Sequence, residues 1–328
     1  MKKTTSILLA LALVLVCMAG TASAASYKLL FGHTLTENDA FHKAMVAWAD
    51  AVKQDTNGEV EIEIYANSAL GTEEDVLEQM RQGAGIGWQT DFGRAGSYVT
   101  ELSVMNAPYF ISSIEEAEAL QGSATLNGYM DQLAAQYGLR PISFEWVQGN
   151  RVVFSNKKAT DPAGMSAMSI RSANAPIWLE SIKSLGCTAV ALSYGEIYSS
   201  IQTKVVDGCE LPYNAALSLN IQEVCKYIIE TNHIFQMNLM VVGEEWWQNL
   251  PDEYKQILID DCNAAGRAAS EELAATSAQS KQTMIDAGME LVSYEDLDSA
   301  AFIEASQAAY DALGLSDVRA AIYSEIGK

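Results

Sequence analysis

The sequence predicts an α/β protein with two α/β lobes, a ligand cleft between them and a long helix that braces both. Two successive series of strand and helix patterns predict the lobes, because such units build largely parallel sheets covered by helices on both faces. The proline-free segment from Asp252 to about Gly288, rich in Ala, Glu, Gln and Lys, predicts the bracing helix. With 328 residues, the chain is long enough for two domains that each bury a core.

The first series lies in the N-terminal third of the chain. A short apolar run at 27–31 predicts a strand, and apolar residues at helical spacing after Asn38, a candidate cap, predict a helix with one buried face. In 59–65, apolar and acidic residues alternate as in a strand with one exposed face. The segment 72–75, in which three acidic residues follow Thr72, opens a second helix, because negative charge is favourable at a helix N-terminus. Residues 84–88 follow as a buried strand.

The second series begins near Asn150. Its predicted elements are a strand at 168–171, a helix at 176–185, a strand at 188–192 and a helix at 194–203. Ligands of such folds bind at the carboxyl ends of the strands, so the crevice between the two series is the expected site. We predict that residues 26–148 plus 237–276 form lobe I, and that residues 149–236 plus 277–328 form lobe II.

Residues 1–25 are predicted to be a signal peptide. Lys2 and Lys3 form a positive start, Ile7 to Val16 is uninterrupted apolar sequence, and Ala22-Ser23-Ala24 supplies the small residues of a cleavage site. The apolar run is shorter than the roughly 20 residues that a membrane-spanning helix needs. We therefore expect cleavage near Ala24, export to the periplasm and no direct insertion of the protein into the membrane.

Charge and motif content exclude several functions. The chain has 20 basic and 42 acidic residues, a net charge of −22, which repels polyanions, so nucleic acid is excluded as a partner. Nucleophile-elbow, zinc-protease, P-loop and EF-hand spacings are absent, and we expect no enzyme activity, cofactor or metal. His33 ends the first strand, where a hydrogen-bonding role is favoured over catalysis, and we include it among the candidate ligand contacts. An exported enzyme acting on an organic acid is a less favoured alternative.

Four cysteines remain after the predicted cleavage: Cys187, Cys209, Cys225 and Cys262. An oxidising compartment permits one or two disulfides, and four cysteines permit three pairings between which the sequence does not choose. Buried free thiols or a single structural bridge are the favoured interpretation.

Two of the scarce arginines stand where a ligand is expected. Arg151 begins the second series, and Arg171 ends the strand at 168–171, which directs its guanidinium toward the cleft. An arginine there binds a carboxylate through two parallel hydrogen bonds, which a lysine cannot form. A surface salt bridge is the ordinary role of a lone arginine, but the position at the crevice favours ligand binding.

The order and spacing of several motifs resemble the DctP-type solute receptors of tripartite ATP-independent periplasmic (TRAP) transporters. These motifs are Gly149-Asn150-Arg151, Ser155-Asn156-Lys157, Ile170-Arg171, Tyr194-Gly195-Glu196-Ile197-Tyr198 and Val206-Asp207-Gly208-Cys209-Glu210-Leu211-Pro212. The resemblance implies a periplasmic-binding-protein fold that closes on a small organic acid and delivers it to membrane permease subunits. It also implies that Arg171 clamps the ligand carboxylate and that Arg151 assists.

One position departs from the family pattern. The family usually has Asn within the Glu-Asn-Pro stretch, where its side chain also reaches the carboxylate, and here Leu211 follows Glu210. The resemblance therefore implies that the acid is held differently, with Asn174 or Asn214 as candidate substitutes. Glu210 of the same stretch is also a candidate ligand contact.

Aromatic residues suggest the nature of the ligand. Trp88, Trp146 and Trp178 stand at two strand ends and on the helix after Arg171, with Tyr194 and Tyr213 nearby in sequence. For each residue alone a core position is more common, but three tryptophans together favour an apolar pocket on which a flat ring stacks. We therefore predict a carboxylate with an aromatic or bulky apolar tail, such as an indole acid or an aromatic amino acid. A sugar acid or dicarboxylate is the alternative.

Overall fold

The computed structural model describes residues 25–328. The predicted signal peptide lies, except for Ala25, outside the described residues. The strands are β1 (Tyr27–Gly32), β2 (Val60–Tyr65), β3 (Ile86–Asp91), β4 (Leu139–Ser155), β5 (Ser169–Ser172), β6 (Thr188–Ala191), β7 (Gly208–Pro212), β8 (Tyr227–Gly243) and β9 (Glu290–Val292). The helices are α1 (Ala40–Asp55), α2 (Glu73–Arg81), α3 (Phe92–Ala95), α4 (Ile114–Ala119), α5 (Ala124–Tyr137), α6 (Pro162–Met165), α7 (Pro176–Ser184), α8 (Ile197–Gln202), α9 (Tyr213–Ser218), α10 (Glu244–Gln248), α11 (Asp252–Asp286), α12 (Ser299–Leu313) and α13 (Ser316–Ile326).

The strands join in one sheet with the order β2-β1-β3-β8-β4-β7-β5-β6, and β9 pairs with β8. Three parallel strands lie at each end of the sheet, β2-β1-β3 and β7-β5-β6. The first group and the pair β5-β6 are the strands of the two predicted series, and β7 is a strand that was not predicted. The prediction of a largely parallel sheet is wrong in the centre, where β4 and β8 are antiparallel to each other and to their outer neighbours. The two-lobed α/β fold itself is confirmed.

The long strands β4 and β8 connect the two lobes. Each has 17 residues, and their pairing runs from Leu139↔Gly243 beside the first series to Ser155↔Tyr227 beside the second. The register shifts between Val147 and Gly149, which has a φ of +85°. This irregularity coincides with the predicted lobe boundary, and a glycine suits it because a side chain disfavours positive φ.

The helix at the C-terminus complicates the predicted division into lobes. In α13, the Tyr323 hydroxyl donates to the Phe110 carbonyl oxygen, and Glu325 accepts a hydrogen bond from Thr125 at 2.6 Å. These partners belong to predicted lobe I, whereas α13 was placed in lobe II. The residue limits of the lobes therefore stay a prediction.

The bracing helix is confirmed as α11, with 35 residues. It packs against α1, β4 and α9, which belong to both ends of the sheet. Its Gly266 faces Trp146, and a Cβ there would lie 2.7 Å from the indole nitrogen. A residue without a side chain is thus needed where the helix crosses β4.

Local capping follows the sequence closely at α1 and α2. The Asp39 side chain accepts a hydrogen bond from the Phe41 amide at 2.9 Å, one residue after the predicted cap Asn38. Thr72 caps α2 by accepting from the Asp75 amide at 3.3 Å. Both caps satisfy backbone N–H groups that have no partner inside the helix.

All four cysteines of the described part of the chain are free and buried. Of the alternatives that the sequence left open, buried thiols are therefore the one observed. Among residues 25–328, none of the helices combines the length and hydrophobicity needed to cross a bilayer.

Candidate functional site: a polar cavity between the lobes

A cavity lies between the two parallel groups of strands. It is bordered by the carboxyl ends of β3, β5 and β7, as the strand-end rule predicts. Its polar wall residues are Thr34, Glu73, Gln89, Thr90, Asp91, Arg94, Gln148, Arg151, Arg171, Tyr194, Gln236 and Asn238, and its apolar ones are Leu35, Ala173, Trp178, Leu211, Pro212 and Ala215.

Arg171 lies in this wall as predicted from the sequence. It is the third residue of the four-residue strand β5, and it is 2% exposed. Its Nε donates to the Leu192 carbonyl oxygen at 2.9 Å. Among residues 25–328, neither terminal nitrogen of Arg171 has a hydrogen-bond partner, and no carboxylate forms an ion pair with it. Burial lowers the pKa of Arg171 to about 10, because desolvation disfavours the charged form.

Arg151 occupies a different electrostatic position. Its Nε contacts the buried Glu210 carboxylate, its Nη1 contacts the Gln236 side-chain oxygen, and its Nη2 donates to the Glu210 carbonyl oxygen at 2.6 Å. The Trp178 ring lies under the guanidinium, 4.7 Å from ring centre to Cζ. Glu210 thus balances the charge of Arg151 from behind the cavity wall, whereas the charge of Arg171 is not balanced by a direct ion pair.

Three charged residues that the sequence analysis missed form the wall of the first series. Arg94 Nη1 lies 2.6 Å from Asp91 Oδ2, and Arg94 Nε lies 3.1 Å from Glu73 Oε2. Thr90 donates to the other Glu73 oxygen at 2.6 Å. They were missed because the predicted strand ended at Trp88, whereas β3 continues three residues further and brings Asp91 to the carboxyl edge of the sheet.

Side-chain amides line the floor of the cavity. Asn238 Oδ1 accepts hydrogen bonds from Gln89 at 3.1 Å and from Gln236 at 3.2 Å. The Gln89 side-chain oxygen is buried and has no partner within residues 25–328. Since a buried acceptor without a partner is unfavourable, this oxygen is suited to receive a hydroxyl hydrogen from a bound molecule.

Two of the three predicted tryptophans lie outside the cavity, which corrects the idea of a tryptophan-lined pocket. Trp88 is fully buried in the core of the first series, where it fills the space beside Gly32. Trp146 is also fully buried and packs edge-on against Phe41, with ring centres 5.1 Å apart. Both face the helices that cover the sheet, and Trp178 is the tryptophan that borders the cavity.

Three further residues that were predicted to contact the ligand are absent from the cavity wall. The Tyr213 hydroxyl donates to Glu230 at 2.6 Å, and Asn214 donates to the Leu273 carbonyl oxygen of α11 at 3.0 Å. His33 is buried, with its Nε2 3.0 Å from His42 Nδ1. Each of these side chains is therefore engaged in holding elements of the fold together.

The remaining predicted residues lie at the cavity or beside it. Tyr194 and Leu211 are wall residues. Asn174 borders a second, larger space that shares Thr34, Glu73, Arg94 and Tyr194 with the first. Leu211 thus presents an apolar side chain where the family resemblance implies an amide.

Two α/β lobes with a polar cavity between them define the class of two-lobed solute-binding proteins. Residues 31–317 match the bacterial extracellular solute-binding protein family 7, DctP, and the chain belongs to this family. The predicted resemblance to TRAP solute receptors is thereby confirmed. Receptors of this kind bind small molecules and work with membrane permease subunits.

Individual relatives extend the comparison. The chain is 25% identical over 290 residues to the 2,3-diketo-L-gulonate-binding periplasmic protein of Escherichia coli, covering 87% of this chain and 86% of the relative. It is 26% identical over 262 residues to the sialic acid-binding periplasmic protein of Vibrio cholerae, covering 80% of each. A TRAP periplasmic solute-binding protein of Actinobacillus succinogenes, solved with bound L-galactonate, superimposes with a TM-score of 0.85 at 26% identity, covering 92% of this chain and 99% of the other.

Proposed function

We propose that this protein is a periplasmic receptor for a sugar acid, a polyhydroxylated monocarboxylate, and that Arg171 binds the carboxylate of that acid. The observation that carries the proposal is the buried guanidinium of Arg171, whose terminal nitrogens have no partner among the described residues. A buried charge is costly unless it is paired, so this position is suited to a ligand that brings the negative charge.

The other arginines support one carboxylate over two. Arg151 is paired with Glu210, and Arg94 is paired with both Asp91 and Glu73. A dicarboxylate needs a second cation that is free to bind it, and among the described cavity residues both of these cations are already compensated. A monocarboxylate matches the single uncompensated charge.

The polar wall supports a hydroxylated body over an aromatic one. Gln89, Gln148 and Asn238 border the cavity together with charged groups that both donate and accept hydrogen bonds. Hydroxyl groups pair with such donors and acceptors, whereas an indole ring would leave most of them without partners. Relatives that bind 2,3-diketo-L-gulonate, sialic acid and L-galactonate point in the same direction. The predicted preference for an aromatic tail is therefore set aside in favour of its alternative.

The proposal is tested with the purified mature protein in a thermal-shift screen followed by calorimetry. The panel contains L-galactonate and other aldonates, succinate, indole-3-acetate, and the neutral sugar L-galactose as the control that lacks the carboxylate. A ligand that binds only the folded state raises the melting temperature. We expect aldonates to raise it, L-galactose to leave it unchanged, and the bound acid to be recovered chemically unaltered. A shift with succinate or indole-3-acetate and none with any aldonate would overturn the proposal.

We further propose that the protein is exported with cleavage near Ala24 and delivers the acid to permease subunits in the membrane. N-terminal sequencing of the protein recovered from the periplasm tests the first point. Uptake of radiolabelled acid into vesicles that contain the cognate permease, with and without the receptor, tests the second.

A further inference from the structure

We propose that Trp178 and Asp91 form a latch that holds the two lobes together over the bound acid, and that Trp178 thereby acts as a positioning residue for Arg151. Asp91 ends β3 in the first series, and Trp178 lies on α7 in the second. The Trp178 indole nitrogen donates to Asp91 Oδ1 at 2.8 Å, and the two residues are 2% and 4% exposed. This inference goes beyond the proposed function and rests on it for the identity of the probe.

The acceptor side of the latch is held in a fixed orientation. Asp91 Oδ1 also caps α3 by accepting from the Arg94 amide at 2.8 Å, while Oδ2 pairs with Arg94 Nη1 at 2.6 Å. The carboxylate is therefore already oriented when the indole reaches it. A hydrogen bond to a charged group in a water-excluded place is stronger than one between neutral groups.

The donor side of the latch touches the ligand machinery. The face of the Trp178 ring supports the Arg151 guanidinium at 4.7 Å, and Arg151 borders the cavity together with Arg171. When the indole nitrogen is bound to Asp91, the ring cannot rotate away from Arg151. The latch thus couples closure of the lobes to the position of Arg151 in the binding site.

Gly93 makes the close approach of the two lobes feasible. A Cβ built at this position would lie 2.4 Å from the Trp178 indole nitrogen and 2.9 Å from an Ile177 methyl carbon. Real Cβ atoms do not approach other atoms so closely, so a side chain here would force α3 and α7 apart. Gly93 follows Asp91 by two residues, so a single short segment carries both the acceptor and the space for the donor.

The latch exists only while the lobes are together. Arg171 is 2% exposed at the cavity, so a solute reaches it only when the lobes part. Parting separates β3 from α7 and breaks the bond between Asp91 and Trp178. The bond therefore stabilises the closed, loaded state relative to the open one. Removing the bond is expected mainly to increase the rate of ligand release.

The first test is a double-mutant cycle with Trp178→Phe, Asp91→Ala and their combination, using L-galactonate as the probe. Phenylalanine keeps a ring under Arg151 and removes the N–H donor. We expect Trp178→Phe to weaken affinity about tenfold, mainly through faster dissociation in stopped-flow measurements. We expect the double variant to lose no more affinity for L-galactonate than the weaker-binding single variant loses, because both changes remove the same bond. Additive losses, or unchanged release by Trp178→Phe, would overturn the latch.

The second test uses Gly93→Ala, which blocks the approach without removing either partner. We expect at least a tenfold loss of affinity for L-galactonate. An unchanged affinity would contradict the inference. Circular dichroism on all variants verifies that they are folded.

A third measurement separates failure of the latch from failure of the proposed ligand class. If the unaltered protein does not bind L-galactonate or any other aldonate, the proposed function is overturned, and the latch is then tested without ligand. Spin labels are attached to cysteines introduced at two exposed positions on opposite lobes, Val46 of α1 and Val205 after α8. The four native cysteines are buried and are therefore protected from labelling. We expect Trp178→Phe to deplete the short-distance population between the labels. An unchanged distance distribution would refute the latch.

Discussion

Replacing Arg171 by methionine is expected to weaken acid binding and, at the same time, to stabilise the ligand-free protein. Methionine is chosen because it retains much of the buried volume and removes the charge. The two effects have opposite signs because Arg171 is 2% exposed and no ion pair compensates it within residues 25–328. An arginine with a purely structural role would instead lower stability when removed.

The loss of affinity follows from the burial of the partner carboxylate. At about 4 Å and an effective dielectric constant of about 20, the attraction between the two charges is roughly 4 kcal/mol. Truncating one partner of a buried, hydrogen-bonded charge pair costs about 2–5 kcal/mol, because the other charge stays buried without a partner. This corresponds to an affinity lower by roughly 30-fold to several thousandfold.

The gain in stability follows from the pKa of Arg171. Burial lowers it to about 10 from the ordinary 12.5, which means that folding disfavours the charged form. One pKa unit corresponds to about 1.4 kcal/mol, so the ligand-free protein carries a cost on the order of 3 kcal/mol at neutral pH. Below pH 10 both the folded and unfolded forms are protonated, so this cost is constant there. It disappears as pH rises from 10 toward 12.5, because the folded form releases its proton first.

Calorimetry with L-galactonate and differential scanning calorimetry without ligand measure the two effects on the same preparations. Arg267→Ala is the matched control, since Arg267 is exposed and pairs with Glu145 away from the cavity. We expect Arg171→Met to weaken binding by at least about 30-fold and to raise the ligand-free melting temperature by a few degrees. Unchanged affinity in Arg171→Met would refute the reasoning, and a marked fall in its melting temperature would show that the guanidinium supports the fold.

Three other predictions address the cavity wall, the core and pH. Trp88→Phe is expected to lower the melting temperature and to leave the dissociation constant for L-galactonate unchanged, because Trp88 is a core residue. Weaker binding of L-galactonate at an unchanged melting temperature would contradict this. Leu211→Asn adds an amide to the cavity wall and is expected to tighten L-galactonate binding several-fold in calorimetry, whereas unchanged or weaker binding would show that the amide does not reach the acid. Burial and the nearby Arg151 lower the pKa of His233 to about 3. Between pH 6.5 and 3 the unfolded chain therefore binds a proton at His233 that the folded chain does not bind. The free energy of unfolding consequently falls as pH falls through that range. His233→Gln is expected to reduce the drop in melting temperature between pH 6.5 and 4, and an equal drop would be the contrary result.

Local sequence patterns were sufficient for the elements whose neighbours are close along the chain. Period-two alternation predicted β2, helical spacing predicted α1, and an uninterrupted run of good helix formers predicted α11. The position of Arg171 at the carboxyl end of β5 also followed from a local pattern, because the strand and its end are readable within a few residues.

The central pair of strands was not predictable in this way. Most residues of β4 and β8 are buried on both faces, so their sequences lack the alternation that marks a half-exposed strand. Their pairing joins residues such as Val147 and Met237, about ninety positions apart. Asp91 and Arg94 escaped detection because the end of β3 is set by pairing with β8.

By itself the sequence determined the α/β class, the bracing helix and the arginine at the strand end, since each depends on chemistry within one segment. Only the tertiary structure decided which tryptophan faces the cavity, because Trp88, Trp146 and Trp178 are equally apolar and their surroundings are set by packing between distant segments. The charge balance was likewise decided in three dimensions. Glu210 lies 59 positions from Arg151 in the chain and pairs with it across two neighbouring strands, and Arg171 is thereby left as the cation without a direct partner in the described cavity.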